Sequence, residues 1–200
     1  MSMKVGVLAL QGGFAEHAVA VRSLGVDVIE VRLSKQLDEI DGLIIPGGES
    51  TTITKLMRLY KIDKAIAEFG GAIFGTCAGM IVLAREADDG IPGQLQLGLI
   101  DIVIKRNGYG RQIASFEEDV VLAGGSIVRG VFIRAPKILS LGEGVEEIGH
   151  LGDDPVLVRQ GRVLAASFHP ELSGDSSIHA SFLSLVEDCR GASVASSTGS

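Results

Sequence analysis

Ala72-Ile73-Phe74-Gly75-Thr76-Cys77-Ala78-Gly79-Met80-Ile81-Val82-Leu83 is the stretch on which the reading of this chain turns. An apolar run of strand length ends at a small-residue turn carrying one cysteine, and a second apolar segment begins at once. That is the form of a strand-turn-helix nucleophile elbow, with Cys where Gly-x-Ser-x-Gly has Ser. Gly75 and Gly79 suit so sharp a turn, because glycine tolerates strained backbone and lets another segment approach closely. Taken alone, the stretch also fits a buried structural cysteine, since free Cys is among the most buried residue types. A catalytic reading needs a base, an orienter and oxyanion donors from elsewhere in the chain.

Upstream, Val5-Gly6-Val7-Leu8-Ala9-Leu10 is a continuous apolar run typical of a buried parallel strand. Gln11-Gly12-Gly13 breaks it, and the spacing predicts a helix over 14–24 that stops at Gly25. Strands are expected over 26–31 and 43–45, the second closed by Pro46-Gly47-Gly48. Helices are expected over 50–60, with Ser50 as N-cap, and over 62–69. Alternation of this kind predicts a parallel sheet covered by helices on both faces. Ligand sites in such sheets lie beyond the carboxyl ends of the strands. Gln11-Gly12, Gly47-Gly48 and Cys77 each follow a strand directly, so one sheet edge can gather all three.

From about Leu97 the rhythm changes. Strand-like runs over 97–105, 119–122, 126–133, 155–159 and 163–168 have few helical signals between them. They read as mainly antiparallel additions to the same domain, the last returning to the central sheet. An amphipathic helix over 176–190 carries Phe182, Leu183, Leu185 and Val186. The small, polar residues 191–200 are expected to form a disordered tail, which leaves 1–190 as one domain.

Composition narrows the function. Two hundred residues fit one domain, and 46% hydrophobic with 22% charged residues is ordinary for a globular protein. Glycine is the outlier, at 27 residues. A net charge of -7 argues against a nucleic-acid or anionic-membrane surface. No segment reaches the ~18 apolar residues of a membrane span. Met1-Ser2-Met3-Lys4 lacks a signal-peptide pattern, and two cysteines, Cys77 and Cys189, make no disulfide framework, so a cytoplasmic location is expected. Cys189 reads as packed or inert. His17, His150 and His179 lie far apart in the sequence without ligand spacing, so no metal is expected. Neither a Gly-x-Gly-x-x-Gly following a strand nor a Walker pattern is present.

Ala165-Ala166-Ser167-Phe168-His169-Pro170-Glu171-Leu172 is the second informative stretch. Pro170 pushes His169 into extended geometry, and in an extended segment residues two apart point to the same side. His169 and Glu171 can therefore be neighbours, an imidazole with a carboxylate to fix its tautomer. With Cys77 they complete the set for acyl transfer from an amide, because a thiolate is intrinsically nucleophilic. The tetrahedral intermediate needs two backbone N–H donors. Ala78 N–H and a glycine N–H in Gly47-Gly48 are the candidates.

On these motifs the chain resembles the class I, or triad, glutamine amidotransferases, and within them the glutaminase subunits of pyridoxal 5'-phosphate synthases. The resemblance runs from about Lys4 to about Leu185. It is carried by Gly6-Val7-Leu8-Ala9-Leu10-Gln11-Gly12, Pro46-Gly47-Gly48-Glu49-Ser50-Thr51, the elbow, Arg106-Asn107-Gly108-Tyr109-Gly110-Arg111-Gln112, Phe132-Ile133-Arg134-Ala135-Pro136 and Phe168-His169-Pro170-Glu171-Leu172. It implies a flavodoxin-like three-layer α/β domain, a mixed central sheet with helices on both faces. It also implies Cys77 as nucleophile with His169 and Glu171 completing the triad, and L-glutamine held by Gly47, Gly48, Glu49, Arg106, Ile133 and Arg134. The oxyanion would meet Gly48 and Ala78, beside a Gln11-Gly12 loop that responds to a partner.

The implied partner is a synthase subunit, a (β/α)8 barrel, which takes the ammonia within a large hetero-oligomer. Pyridoxal 5'-phosphate would be the product of that complex, and this chain itself would need no cofactor. The region around His17 faces the synthase in the family. Two rivals remain at this level: a glutaminase serving another synthase, such as that of imidazole glycerol phosphate, and a catalytically silent binding module of the same fold. Asn-x-Tyr-Gly-Arg-Gln weighs against the first, and the complete Cys77, His169 and Glu171 set against the second.

Overall fold

The computed structural model describes residues 2–89, 93–110 and 115–197, with 193–197 described by backbone alone. In chain order the first half comprises β1 (Lys4–Leu8), α1 (Phe14–Ser23), β2 (Asp27–Val31), β3 (Gly42–Ile45), α2 (Ser50–Leu59), α3 (Ile62–Glu68), β4 (Ala72–Thr76) and α4 (Ala78–Leu83). The second half comprises β5 (Ala84–Ala87), β6 (Ile100–Lys105), β7 (Ser115–Leu122), β8 (Ile127–Ile133), β9 (Lys137–Leu141), β10 (Glu146–Leu151), β11 (Asp154–Gln160), β12 (Val163–Ala166) and α5 (Ser177–Ser197).

Continuous apolar runs form the centre of the sheet because both of its faces are covered. Alternate residues serve opposite cores, as the two-residue period of a strand requires. Val5, Val7, Ile44, Ala72 and Phe74 pack on one side with Ala18 and Val21 of α1 and Ile178, Phe182 and Val186 of α5. Leu8, Leu43, Ile45 and Ile73 pack on the other with Ile53 and Met57 of α2 and Ile62 and Ile66 of α3.

Strands β2, β1, β3, β4 and β12 are successive parallel neighbours, and β11, β10, β7 and β8 extend the sheet in antiparallel fashion. The result is a mixed nine-stranded sheet between helical layers. A separate sheet, β5-β6-β9, adds Ile100, Ile102, Ile104 and Ile138 to the core that holds α2 and α3.

Several elements differ from the sequence expectation. The strand expected over 97–105 starts at Ile100 and belongs to the small sheet, not the central one. Strands β5, β9 and β10 were not expected: Ala-Arg-Glu-Ala reads as helix by propensity, and the other two carry polar residues on one side. Ser50 is the first residue of α2, and Glu49 is its cap, because the longer carboxylate reaches the free N–H groups of Thr51 and Thr52. Helix α5 does not stop at Arg190 but continues to Ser197. Gly191 is the only strong helix breaker on that path, and no proline follows it. Residues 198–200, Arg111 and Gln112 lie outside the described residues.

Candidate active site

Register brings the site together. Ile45 of β3 lies beside Gly75 of β4, and Thr76 lies beside Ala166 of β12. The chain therefore leaves all three strands at one edge of the sheet, and Gly47-Gly48, Cys77 and His169 emerge there together. Cys77 N–H donates to Ala166 O at 2.8 Å, and His169 N–H donates to Val131 O at 2.8 Å. The second bond draws in the end of β8, with Ile133 and Arg134.

Cys77 itself carries the backbone strain of the elbow, at φ 48° and ψ -103°. A non-glycine residue in this region is rare and marks a position that its surroundings hold in place. Gly79 has a different task. A Cβ there would lie 2.1 Å from Ile45 O, so only glycine lets α4 sit this close to β3. Cys77 Sγ lies 3.7 Å from Ile133 O, and its side chain is buried at the base of a cleft of about 330 Å³. Gly48, Glu49, Arg106, Asn107, Ile133, Arg134 and His169 line that cleft.

His169 Nδ1 and Glu171 Oε1 are 2.7 Å apart. Pro170 to Leu172 form a 3-10 turn, so Glu171 reaches His169 within a tight turn and not along an extended segment. Burial works against a charge on His169. Hydrogen bonds with Cys77 and Glu171, and the charges of both, outweigh it and lift the imidazole to about 10. Burial would likewise raise Glu171, but the His169 hydrogen bond, the His169 charge and the adjacent His17 ring carry it below the usual carboxylate range.

The loop after β3 is fastened at three points. Gly47 N–H donates to Thr76 Oγ1 at 3.0 Å, Gly47 O accepts from Gly13 N–H at 3.0 Å, and Glu49 N–H donates to Gln11 Oε1 at 2.9 Å. Gly48 N–H, between the two engaged N–H groups, has no hydrogen-bond partner among the described residues. The trans peptide turns it away from Gly47 O. Gly12 holds φ 97°, and a Cβ on it would lie 1.9 Å from Gly47 O.

Glu49 sits at the exposed rim. The Thr52 hydroxyl and the Thr51 and Thr52 N–H groups hold its carboxyl down at about 2. Arg134 and Asn107, also exposed, have φ 45° and 47°. Arg106 Nε is buried without a partner among the described residues.

The sequence reading did not anticipate two histidines at this site. His17 and His179, from α1 and α5, are completely buried and touch each other. His17 lies directly behind Glu171, 3.2 Å from Oε2, so it faces the triad and not the surface. The available signal was a polar residue inside an apolar helical stripe: Phe14, Ala18 and Val21 around His17, and Ile178, Phe182 and Val186 around His179. His150 lies elsewhere, near Glu147 on β10.

A cysteine on a strained strand-helix turn, with a buried His–Glu pair at the carboxyl edge of a parallel sheet, has the geometry of a triad for acyl transfer. The family model for SNO glutamine amidotransferases matches residues 7–188. The chain belongs to that family. A pyridoxal 5'-phosphate synthase subunit PdxT from Thermus thermophilus is 55% identical over 186 residues, covering 91% of this chain and 97% of that one. Its counterpart from Niallia circulans is 52% identical over 194 residues, covering 94% and 100%. A crystal structure of a glutamine amidotransferase superposes with a TM-score of 0.87 at 52% identity, covering 92% of this chain and 98% of that one. PurLQS from Thermotoga maritima, at 18% identity, has a TM-score of 0.66 over 92% of this chain and 99% of that one, a likeness of fold.

Proposed function

We propose that this chain is the glutaminase subunit of a pyridoxal 5'-phosphate synthase, hydrolysing L-glutamine to L-glutamate and ammonia through a thioester on Cys77. The observation that carries the reading is Cys77 and His169 in the wall of one cleft, with Glu171 held against His169 behind it, in a chain of an amidotransferase family.

Cys77 Sγ attacks the side-chain amide carbon and forms the C–S bond. The oxygen becomes an oxyanion facing Gly48 N–H and Ala78 N–H. His169, held protonated to about 10, gives a proton to the departing ammonia as the C–N bond breaks. It then takes a proton from a water whose oxygen adds to the thioester carbon; the C–S bond breaks, glutamate leaves, and the deprotonated sulfur is restored beside protonated His169. Glu171 keeps the ring oriented throughout.

Substrate recognition falls to the rim. The guanidinium groups of Arg106 and Arg134 suit the glutamine α-carboxylate, since Arg offers fork-like donors to a carboxylate. Glu49 suits the α-ammonium group. Its Oε1 accepts the Thr51 N–H, whereas Oε2 takes both the N–H and the hydroxyl of Thr52, so Oε1 is the oxygen with more room for the ammonium group. Gly48 and Ile133 supply backbone to the same cleft, whereas Gly47, which does not line it, holds Gly48 in place through its bonds to Thr76 and Gly13.

Ammonia released into bulk water would be lost, so the reading includes a synthase partner that receives it, a (β/α)8 barrel in a large hetero-oligomer. The place for that partner to act is the loop held by Gln11 and Gly13, because two hydrogen bonds fasten it to the Gly47–Glu49 segment. Among the described residues no helix is long and apolar enough to cross a membrane. The test is glutamate release from glutamine, with and without the synthase, for wild type and Cys77→Ala. The expected result is release by wild type that rises with the synthase, and none by Cys77→Ala. Full activity in Cys77→Ala would overturn the mechanism.

A further inference from the structure

Glu171 has two carboxylate oxygens, and His169 occupies one. The other, Oε2, lies 3.2 Å from His17 Nε2, with 1% and 0% of the two side chains exposed. His17 Nε2 is also 3.1 Å from Thr76 Oγ1, and its Nδ1 is 2.9 Å from His179 Nε2. Thr76 Oγ1 in turn accepts Gly47 N–H. A continuous buried chain therefore runs from α5 through α1 to the triad carboxylate, with a branch through Thr76 to the loop that carries Gly48.

The hydrogens can be placed by elimination. Burial drives His17 down to about 4 despite the pull of Glu171, so the ring is neutral and has a single N–H. A nitrogen lone pair turned toward a carboxylate oxygen at this distance would be repelled. The hydrogen therefore belongs on Nε2, between Glu171 Oε2 and Thr76 Oγ1. Nδ1 is then an acceptor, which His179 Nε2–H fills. That leaves His179 Nδ1 as a bare lone pair, and it has no partner among the described residues. A missing acceptor bond is the more tolerable outcome, because orphaned buried N–H groups are rarer than under-used acceptors. The contact to Oε2 is a shared, poorly aligned one, since Oε2 makes no hydrogen bond of good geometry. Among the described residues no three His, Cys, Asp or Glu side chains are grouped to hold a metal.

We propose that His17 is a positioning residue for the triad: its Nε2–H holds Glu171 Oε2 so that Oε1 stays on His169, and Thr76 couples that setting to the oxyanion loop. His17 touches neither the substrate nor the reacting sulfur, so it acts through Glu171. The inference rests on the glutaminase reading above. Without His17, Oε2 would be a buried charged oxygen that has lost even the polar hydrogen 3.2 Å away, free to rotate away from His169.

The test uses the complex with the synthase and measures glutamate release and unfolding for each variant. Leu and Gln both remove the imidazole, but Gln keeps an N–H where Nε2 stood. His17→Leu is expected to lower kcat by about 10- to 100-fold, the usual range for a supporting shell, with KM changed less than about threefold. His17→Gln is expected to recover most of that loss at similar stability. Added to Glu171→Gln, His17→Leu should cost less than about twofold more, because residues that act as a unit are not additive.

The proposal is overturned if His17→Leu keeps kcat within about threefold of wild type, if Gln and Leu variants lose activity equally, or if the loss persists undiminished in Glu171→Gln. Should His17→Leu fail to fold, Thr76→Val against Thr76→Ser decides. Val should lose about tenfold in kcat and Ser little, as expected for a misplacement of the catalytic groups, and equal activity overturns the link. Cys77→Ala is the control in the same assay. Activity surviving in it would refute the triad reading, whereas a dead Cys77→Ala beside fully active His17 variants would refute only the role of His17.

Discussion

The two sides of Cys77 are built differently. Behind the sulfur, Thr76, His17 and Glu171 are buried, and they hang from a strand end, a helix and a tight turn. In front of it, Glu49, Asn107, Ile133 and Arg134 are exposed, on or beside loops, and two of the four have left-handed backbone. In the proposed mechanism, the back wall holds the His169–Glu171 pair in a low-dielectric setting where reorientation is costly. In the proposed function, the front wall is the side that adjusts around glutamine and responds to the synthase. The proposed mechanism thus gives preorganised polarity to the chemistry and adaptable backbone to binding.

The loop between these walls should be the most sensitive place to break the distinction. Gly12→Ala places a Cβ against Gly47 O, so the oxyanion loop must shift. A displacement of about 1 Å there is expected to cost about 100-fold in synthase-supported glutaminase activity. Steady-state kinetics on the assembled complex measures it, and retention of wild-type kcat would show that the loop tolerates another geometry.

Substitutions in the front wall should act on binding. Arg106→Ala and Arg134→Ala are each expected to raise KM for glutamine by about 10- to 100-fold with kcat less affected, from the ~1.5–3 kcal/mol of a hydrogen bond to a charged group. A fall in kcat at constant KM would move that arginine to the chemical step and blur the contrast between the walls.

The smallest effect concerns stability. Glu49→Ala removes the cap of α2 and should destabilise the fold by about 0.5–1 kcal/mol at neutral pH, at the low end because the side chain is exposed. The folded carboxyl sits at about 2 against an ordinary 4.5. The carboxylate's contribution is therefore complete above pH 4.5 and lost as pH falls through about 2. Denaturation of wild type and variant across this range should show the difference shrinking toward acid. A difference that stays constant would assign it to something other than the charged cap.

How much of the site the sequence revealed depended on how local each contact is. Cys77, His169 and Glu171 stand in short motifs at strand ends, where apolar runs and a proline fix the local backbone. The parallel half of the sheet was legible for the same reason: Val5, Ile44 and Phe74 sit in runs that only a doubly covered strand explains. His17 and His179 were not legible, because their contact joins residues 162 apart across two helices, and no local pattern encodes it. The Glu49 cap was hidden by the neighbouring Ser50, a more usual cap residue. The small sheet was hidden by strands such as Ala84–Ala87, whose pairing with β6 overrides a helical propensity.

The central claim is that Cys77 carries the glutamyl group. The most direct measurement is acid quench of the synthase complex during turnover of glutamine, followed by peptide mass spectrometry. The account predicts a glutamyl thioester on the peptide containing Cys77 and none on the peptide containing Cys189. Turnover with no adduct on Cys77 under conditions that trap thioesters, or an adduct on Cys189, would contradict it.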